Sequence, residues 1–337
     1  MTVSLHPNKS TIVRTHKSSR SGRDPGPRKP LSASVRATRA GLQWLSPRAP
    51  GLAAMWAEQL FLRARRHERP FWEREALVGS RRVDVEYDGT TLPAWIWKAS
   101  STSTSRLLEP PRTVLLVHGW EGRGSQLGRF VDPLVAQGLR VVAFDAPGHG
   151  DARRDRASVI DHARAVAAVA KQLGPIHAVV AHSVGGAASL LATRFGLEAQ
   201  RFVLIAPPRS PSKFVAGFSQ FLGLDPNVRD AMVARVESRY GVRIADLDVE
   251  PDAKNLLSPL LVIHDRDDNV VDIETGRALA NVAPLGMMLE TTGLGHNAIL
   301  RARQVVETVT EFVTSGGGAP TFAETLDGEL FLRDRRR

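Results

Sequence analysis

The sequence predicts an α/β protein: a mainly parallel, doubly wound sheet with an antiparallel hairpin at one edge and a small helical cap. Three observations carry this. From residue 113 onward, short apolar runs alternate with longer stretches of helical pattern, as buried parallel strands and crossover helices do. Ahead of them, Val83, Val85 and Tyr87 alternate with polar residues up to the turn Asp88-Gly89, and Leu92 to Lys98 follows, which is the signature of a hairpin. Between the runs at 202–205 and 260–263 the rhythm breaks for over fifty residues.

The elements follow in order. Residues 1–40 hold nine Lys/Arg and a single acid, Asp24, and so account for +8 of the chain's net +10. With their Ser, Pro and Gly they read as a disordered basic tail. The body is near neutral, which argues against a nucleic-acid-binding domain; weak attraction to polyanions would reside in the tail. The tail's Arg- and Ser-rich, acid-poor composition overlaps that of transit peptides, but Pro25, Gly26, Pro27 and Pro30 break any amphipathic helix there. No apolar run reaches the ~18 residues of a membrane span. The cytoplasm is the default location. Residues 41–79 read as a helical extension packed on the domain that follows, with Leu52, Met55, Trp56, Leu60 and Phe61 near one face. After the hairpin, the Ser/Thr run Ala99–Ser105 reads as a surface loop.

The α/β core is expected over 80–207 and 258–315. Its strands fall at Val114–Val117, Val141–Phe144, Ala178–Ala181, Phe202–Ile205, Leu260–Ile263 and Met287–Leu289. Helices fall near 127–137, 157–173, 184–195, 273–282 and 299–314. The interval 208–257 is a helical cap with helices at Pro211–Leu222 and Asn227–Tyr240. An insertion after a strand's C-terminal end sits where such sheets bind ligands. Its Phe214, Phe218 and Phe221 are candidate pocket residues for an apolar group, or simply pack the insertion down. Residues 316–337 are expected to be a flexible tail.

The chemistry concentrates at Ala181-His182-Ser183-Val184-Gly185. A buried strand runs into one serine flanked by small residues, and a helical stretch follows. This is the form of a nucleophile elbow, in which a strained turn exposes the hydroxyl. The competing reading is a serine that caps the helix. A base is available in Gly293-Leu294-Gly295-His296-Asn297, and acids stand at Asp265, Asp267 and Asp268 beyond another strand. His118-Gly119-Trp120 forms a sharp turn after 114–117. There the N–H of Trp120, with that of Val184, is a candidate oxyanion donor. The absence of cysteine excludes disulfides, thiolate metal sites and a cysteine nucleophile. His264 and Asp265 have no third ligand at metal spacing, so neither metal nor cofactor is expected. His118 reads as a brace for its loop and His149 as structural or rim-lining. His182 points away from the nucleophile if 178–182 is a strand, and receives no role.

Across about residues 80–315 the chain resembles the α/β-hydrolase superfamily. The likeness rests on the segment 117–123, Phe144-Asp145-Ala146-Pro147-Gly148-His149-Gly150, the elbow at 181–185, the acids at 265–271 and Gly295-His296. The order Ser, Asp, His is also that superfamily's. The resemblance implies Ser183 as nucleophile, His296 as base and Asp268 as orienting acid. Asp268 is preferred to Asp267 because it stands two residues before Val270-Val271. Two departures are Ala181 for the elbow's first glycine and Asp265 for the glycine before the acid loop. The implied activity is hydrolysis of an ester-type bond in a small acyl substrate through an acyl-enzyme. Acyl transfer to another acceptor, amide or C–C cleavage, and a non-catalytic binding protein are the alternatives.

Overall fold

The structure, a computed structural model, describes residues 12–14, 32–98, 112–315, 321–324 and 330–333. The expected Ser/Thr loop at 99–105 lies outside them. Among the described residues the fold class is as expected. Strands β1 (Ile12–Arg14), β2 (Arg81–Tyr87), β3 (Thr90–Trp97), β4 (Thr113–Val117), β5 (Arg140–Phe144), β6 (Ile176–His182), β7 (Ala199–Ile205), β8 (Leu260–Asp265) and β9 (Gly286–Thr291) form one sheet, in the order β1-β9-β8-β7-β6-β4-β5-β3-β2. The β2–β3 hairpin is antiparallel and joins β5 antiparallel; every other pairing is parallel. Strands β4, β6 and β8 are buried along their whole length, so their sequences are continuous rather than alternating.

The chain leaves β4 to one side for β5 and to the other for β6, so the winding reverses at β4. A crevice opens at the C-terminal ends of strands at such a reversal. Alternation along the strands separates two faces. Val114, Leu116, Val180, Val203, Ile205, Leu261 and Ile263 join one apolar core with helix α4 (Val131–Ala136) and the helix Arg303–Thr314. On the opposite face, α6 (Val184–Ala192) brings Gly186 near Leu204, and the helix Ile273–Val282 brings Gly276 near Val262. Helix α5 (Val159–Leu173) packs on α6 and begins at a capping box, in which Ser158 and Asp161 satisfy each other's backbone N–H.

A second compact unit comprises, among the described residues, 32–63 and 210–248. Its described helices are α1 (Ala33–Leu45), α2 (Pro50–Phe61), α7 (Ser212–Leu222) and α8 (Pro226–Tyr240). The small residues Ala53, Ala54 and Ala57 of α2 form one core with Val228, Met232 and Val236 of α8. Small side chains allow the two helices a close approach. Glu58, 1% exposed, accepts from Arg235 and Arg239 at 2.7 Å each.

Helices α1 and α2 share one core with α7 and α8 of the insertion, where the alanine face of α2 meets Met232 and Val236 of α8. Three expectations about organisation differ from this. The expected helical stretch 41–79 is interrupted: Pro50 starts a new helix, and non-helical backbone from Arg63 to Pro70 precedes α3 (Phe71–Ala76). Within the expected N-terminal tail, Ile12–Arg14 pairs with Met288–Glu290 on the edge of β9, and α1 starts at Ala33 after a Ser32 cap. Within the expected C-terminal tail, β10 (Thr321–Glu324) and β11 (Leu330–Arg333) pair antiparallel.

Candidate active site

Strand β6 ends at His182 and helix α6 begins at Val184, which leaves Ser183 alone to make the turn. Its φ of 52° and ψ of −128° are strained for a residue with a side chain. Two backbone bonds hold it there: Ser183 N–H donates to Ile205 O, and Gly186 N–H donates to Ser183 O, each at 2.8 Å. The turn also requires Gly185. A Cβ at that position would stand 2.3 Å from the carbonyl oxygen of His118. Ala181, where the elbow pattern has glycine, is wholly buried between β4 and β7.

The structure brings Ser183, His296 and Asp268 into one line. Ser183 Oγ lies 3.0 Å from His296 Nε2, and His296 Nδ1 lies 2.7 Å from Asp268 Oδ2. In this arrangement Nδ1–H donates to the carboxylate and Nε2 accepts the serine hydroxyl. The Asp268 side chain is fully buried. Burial opposes its ionisation, but hydrogen bonds from His264, His296 and the backbone N–H groups of Val271 and Val270 outweigh it and hold the carboxyl well below the usual range. His264, also buried, points Nε2 at both Val271 O (2.9 Å) and Asp268 Oδ2 (3.3 Å).

The neighbouring acids act on the backbone of the same loop. Asp265 is fully buried and accepts from Thr291 Oγ1 (2.7 Å) and from the N–H groups of Leu294 (3.1 Å) and Gly295 (2.9 Å). Asp267 accepts from Gly293 N–H at 2.7 Å. Two acids therefore hold the segment that carries His296, while the third meets its ring. The departure from glycine at 265 is no strain on the turn, since Asp265 is absent from the residues of positive φ.

The turn after β4 passes over the serine. A Cβ on Gly119 would lie 3.0 Å from Ser183 Cβ. Gly122 N–H donates to Gly119 O at 3.0 Å, with Glu121 in the left-handed region at φ 57°. His118, fully buried, accepts Ala146 N–H on Nε2 (2.9 Å) and donates from Nδ1 to Gly119 O (2.7 Å). Farther along, Gly124 N–H donates to Asp145 (2.8 Å), and Asp145 is paired with Arg69 (2.8 Å). Arg123 donates two bonds to buried Glu73, at 2.5 and 2.8 Å, and Ser125 adds a third at 2.6 Å. The N–H groups of Trp120 and Val184 have no acceptor among the described residues. Val184 opens α6, where the helix leaves its first N–H groups unpaired and its dipole is positive.

Sequence reading missed His182. Its ring lies 4.8 Å from that of His296, and its Nε2 is 2.9 Å from the His296 carbonyl oxygen. Alternation along β6 separates His182 from the serine hydroxyl but not from His296, whose loop returns across the sheet from β9. The roles of Asp265, Glu73 and Asp145 were also not apparent. The three candidate pocket residues lie in the helical unit: Phe218 packs at 5.1 Å on Phe61, Phe214 is half-buried and Phe221 is 44% exposed. Among the described residues no cluster of His, Asp and Glu is arranged to hold a metal, and no helix is long and apolar enough to cross a membrane.

Comparison with known proteins places the fold. The alpha/beta hydrolase family model matches residues 114–308. No curated protein matches the chain. Among solved structures, an esterase of Rhodococcus sp. is 20% identical with a TM-score of 0.52, covering 71% of this chain and all of its own. An esterase of Pyrococcus furiosus is 18% identical with a TM-score of 0.56, covering 75% of this chain and 98% of its own. A bromoperoxidase of Bacillus anthracis is 15% identical with a TM-score of 0.51, covering 70% of this chain and all of its own. At these identities the likeness is one of fold, and it extends over differently named activities.

Proposed function

Because this chain belongs to the alpha/beta hydrolase family, we propose that it is a serine hydrolase that cleaves ester-type acyl bonds through Ser183, His296 and Asp268. The observation that carries the reading is the hydrogen-bonded line from Ser183 Oγ through the His296 ring to buried Asp268, set on a strained elbow. Ser183 attacks the acyl carbonyl as His296 Nε2 takes its proton. Asp268 keeps Nδ1–H fixed and stabilises the imidazolium that forms. The N–H groups of Trp120 and Val184 receive the developing oxyanion. His296 then protonates the leaving alcohol, and water repeats the sequence in reverse on the acyl-enzyme.

The substrate is a small acyl compound. Turnover of a panel of activated esters of increasing chain length, alongside covalent labelling by a fluorophosphonate, tests the reading. Ser183→Ala should abolish both. Undiminished turnover in that variant would overturn the assignment.

A further inference from the structure

His182 is a buried, titratable side chain that the reaction above does not use, yet it touches the base. Its exposure is 4%, and its Nε2 is 2.9 Å from the carbonyl oxygen of His296. A carbonyl only accepts, so Nε2 carries the proton and the ring is the neutral Nε2–H tautomer. The ring faces that of His296 at a centroid distance of 4.8 Å, with 44° between planes. Its other edge approaches the turn after β4: a Cβ at Gly119 would come within 3.3 Å of His182 Nδ1. His182 thus stands between the oxyanion turn and the loop that carries the base, and the adjoining residue is the nucleophile.

We propose that His182 is a positioning residue for His296: its Nε2–H, held at the end of the strand that carries Ser183, fixes the base's backbone at hydrogen-bonding distance from the serine. The inference rests on the serine-hydrolase reading and adds to it. Asp265 and Asp267 hold the loop from its N–H side, at residues 293–295. They leave the carbonyl of His296 itself unrestrained, and His182 supplies that restraint from the opposite edge. The bond registers base and nucleophile directly, without passing through β7 or β8. Neutrality suits the role. Burial, with the nearby His296, holds His182 down at about 3, so no second positive charge opposes the imidazolium that forms during acylation.

The test uses the full chain with an activated ester. His182→Gln places an amide donor near the position of Nε2, and His182→Met fills similar space without a donor. The expected result is a kcat for the Met variant about tenfold to a hundredfold below that of the Gln variant, the cost of small misplacement of a catalytic group, with KM within about twofold and matching melting temperatures. Equal kcat in the two variants, or a difference carried by KM, would overturn the proposal. Fluorophosphonate labelling of the unaltered protein, absent in Ser183→Ala, is measured first. Loss of that contrast would indict the serine-hydrolase reading; its presence with equal Gln and Met kcat would indict His182 alone.

Discussion

At the residue scale, three aspartates within four positions divide their work by what each can reach. Asp268 meets the His296 ring, while Asp265 and Asp267 meet backbone N–H groups. Their removal should therefore have unequal effects. Asp268→Asn loses the acceptor that fixes the histidine tautomer and should lower kcat by roughly three to four orders of magnitude. Asp267→Asn retains an oxygen for Gly293 N–H and should cost less than about tenfold. Steady-state kinetics on the two variants separates them. Much of this scale was legible in the sequence. Ser183 and His296 stand in short motifs with small flanking residues, and Asp268 has a fixed offset from a Val pair. His182 and the loop-holding role of Asp265 were not legible, because both act mainly on backbone atoms of a loop about thirty residues or more away, and a backbone donor or acceptor leaves no trace in residue type.

At the element scale, the elbow is a junction in which strand, helix and neighbouring turn approach within contact distance, and glycine enters where a Cβ cannot. Gly185→Ala would drive a methyl group into the His118 carbonyl, a backbone atom that cannot swing aside, and should lower both melting temperature and kcat. Gly217 is the contrasting case. It lies inside α7, exposed, and a methyl group added there would meet nothing within 4 Å. Gly217→Ala should raise stability by about 0.5–1 kcal/mol, the helix-propensity gain at an open position, with kcat unchanged. Paired thermal melts check the opposite signs. The core elements were legible because buried parallel strands leave short apolar runs of near-uniform length. The partner of α2 was not legible: a small-residue face says that something packs closely, but not which helix does so.

At the scale of the whole molecule, buried imidazoles set the response to acid. His162 is 1% exposed, and its two ring nitrogens find no partner among the described residues. It packs 5.0 Å from His118 and 5.9 Å from His149. Burial, with His149, holds it down at about 3, against an ordinary value of 6.5. A group whose folded value is depressed in this way binds protons more readily when unfolded. Its contribution to stability is complete above about pH 6.5 and is lost as pH falls toward 3. His182, also held at about 3, adds in the same window. The melting temperature should be level near neutrality and fall steadily below pH 6.5. In His162→Phe, which offers no proton site, the acid limb should be shallower. An identical slope in both proteins would refute this account.

The shared core of α1, α2, α7 and α8 has a consequence for the order in which the protein is made. Translation delivers α2 about 150 residues before α7, an interval of roughly ten to thirty seconds at ordinary elongation rates. During that time the alanine face of α2 and the carboxylate of Glu58 have emerged, but Met232, Val236 and the two arginines that pair with Glu58 have not. Helices α1 and α2 therefore wait for α7 and α8 before this core can close. The nascent chain carries an uncovered apolar segment while most of the sheet forms behind it.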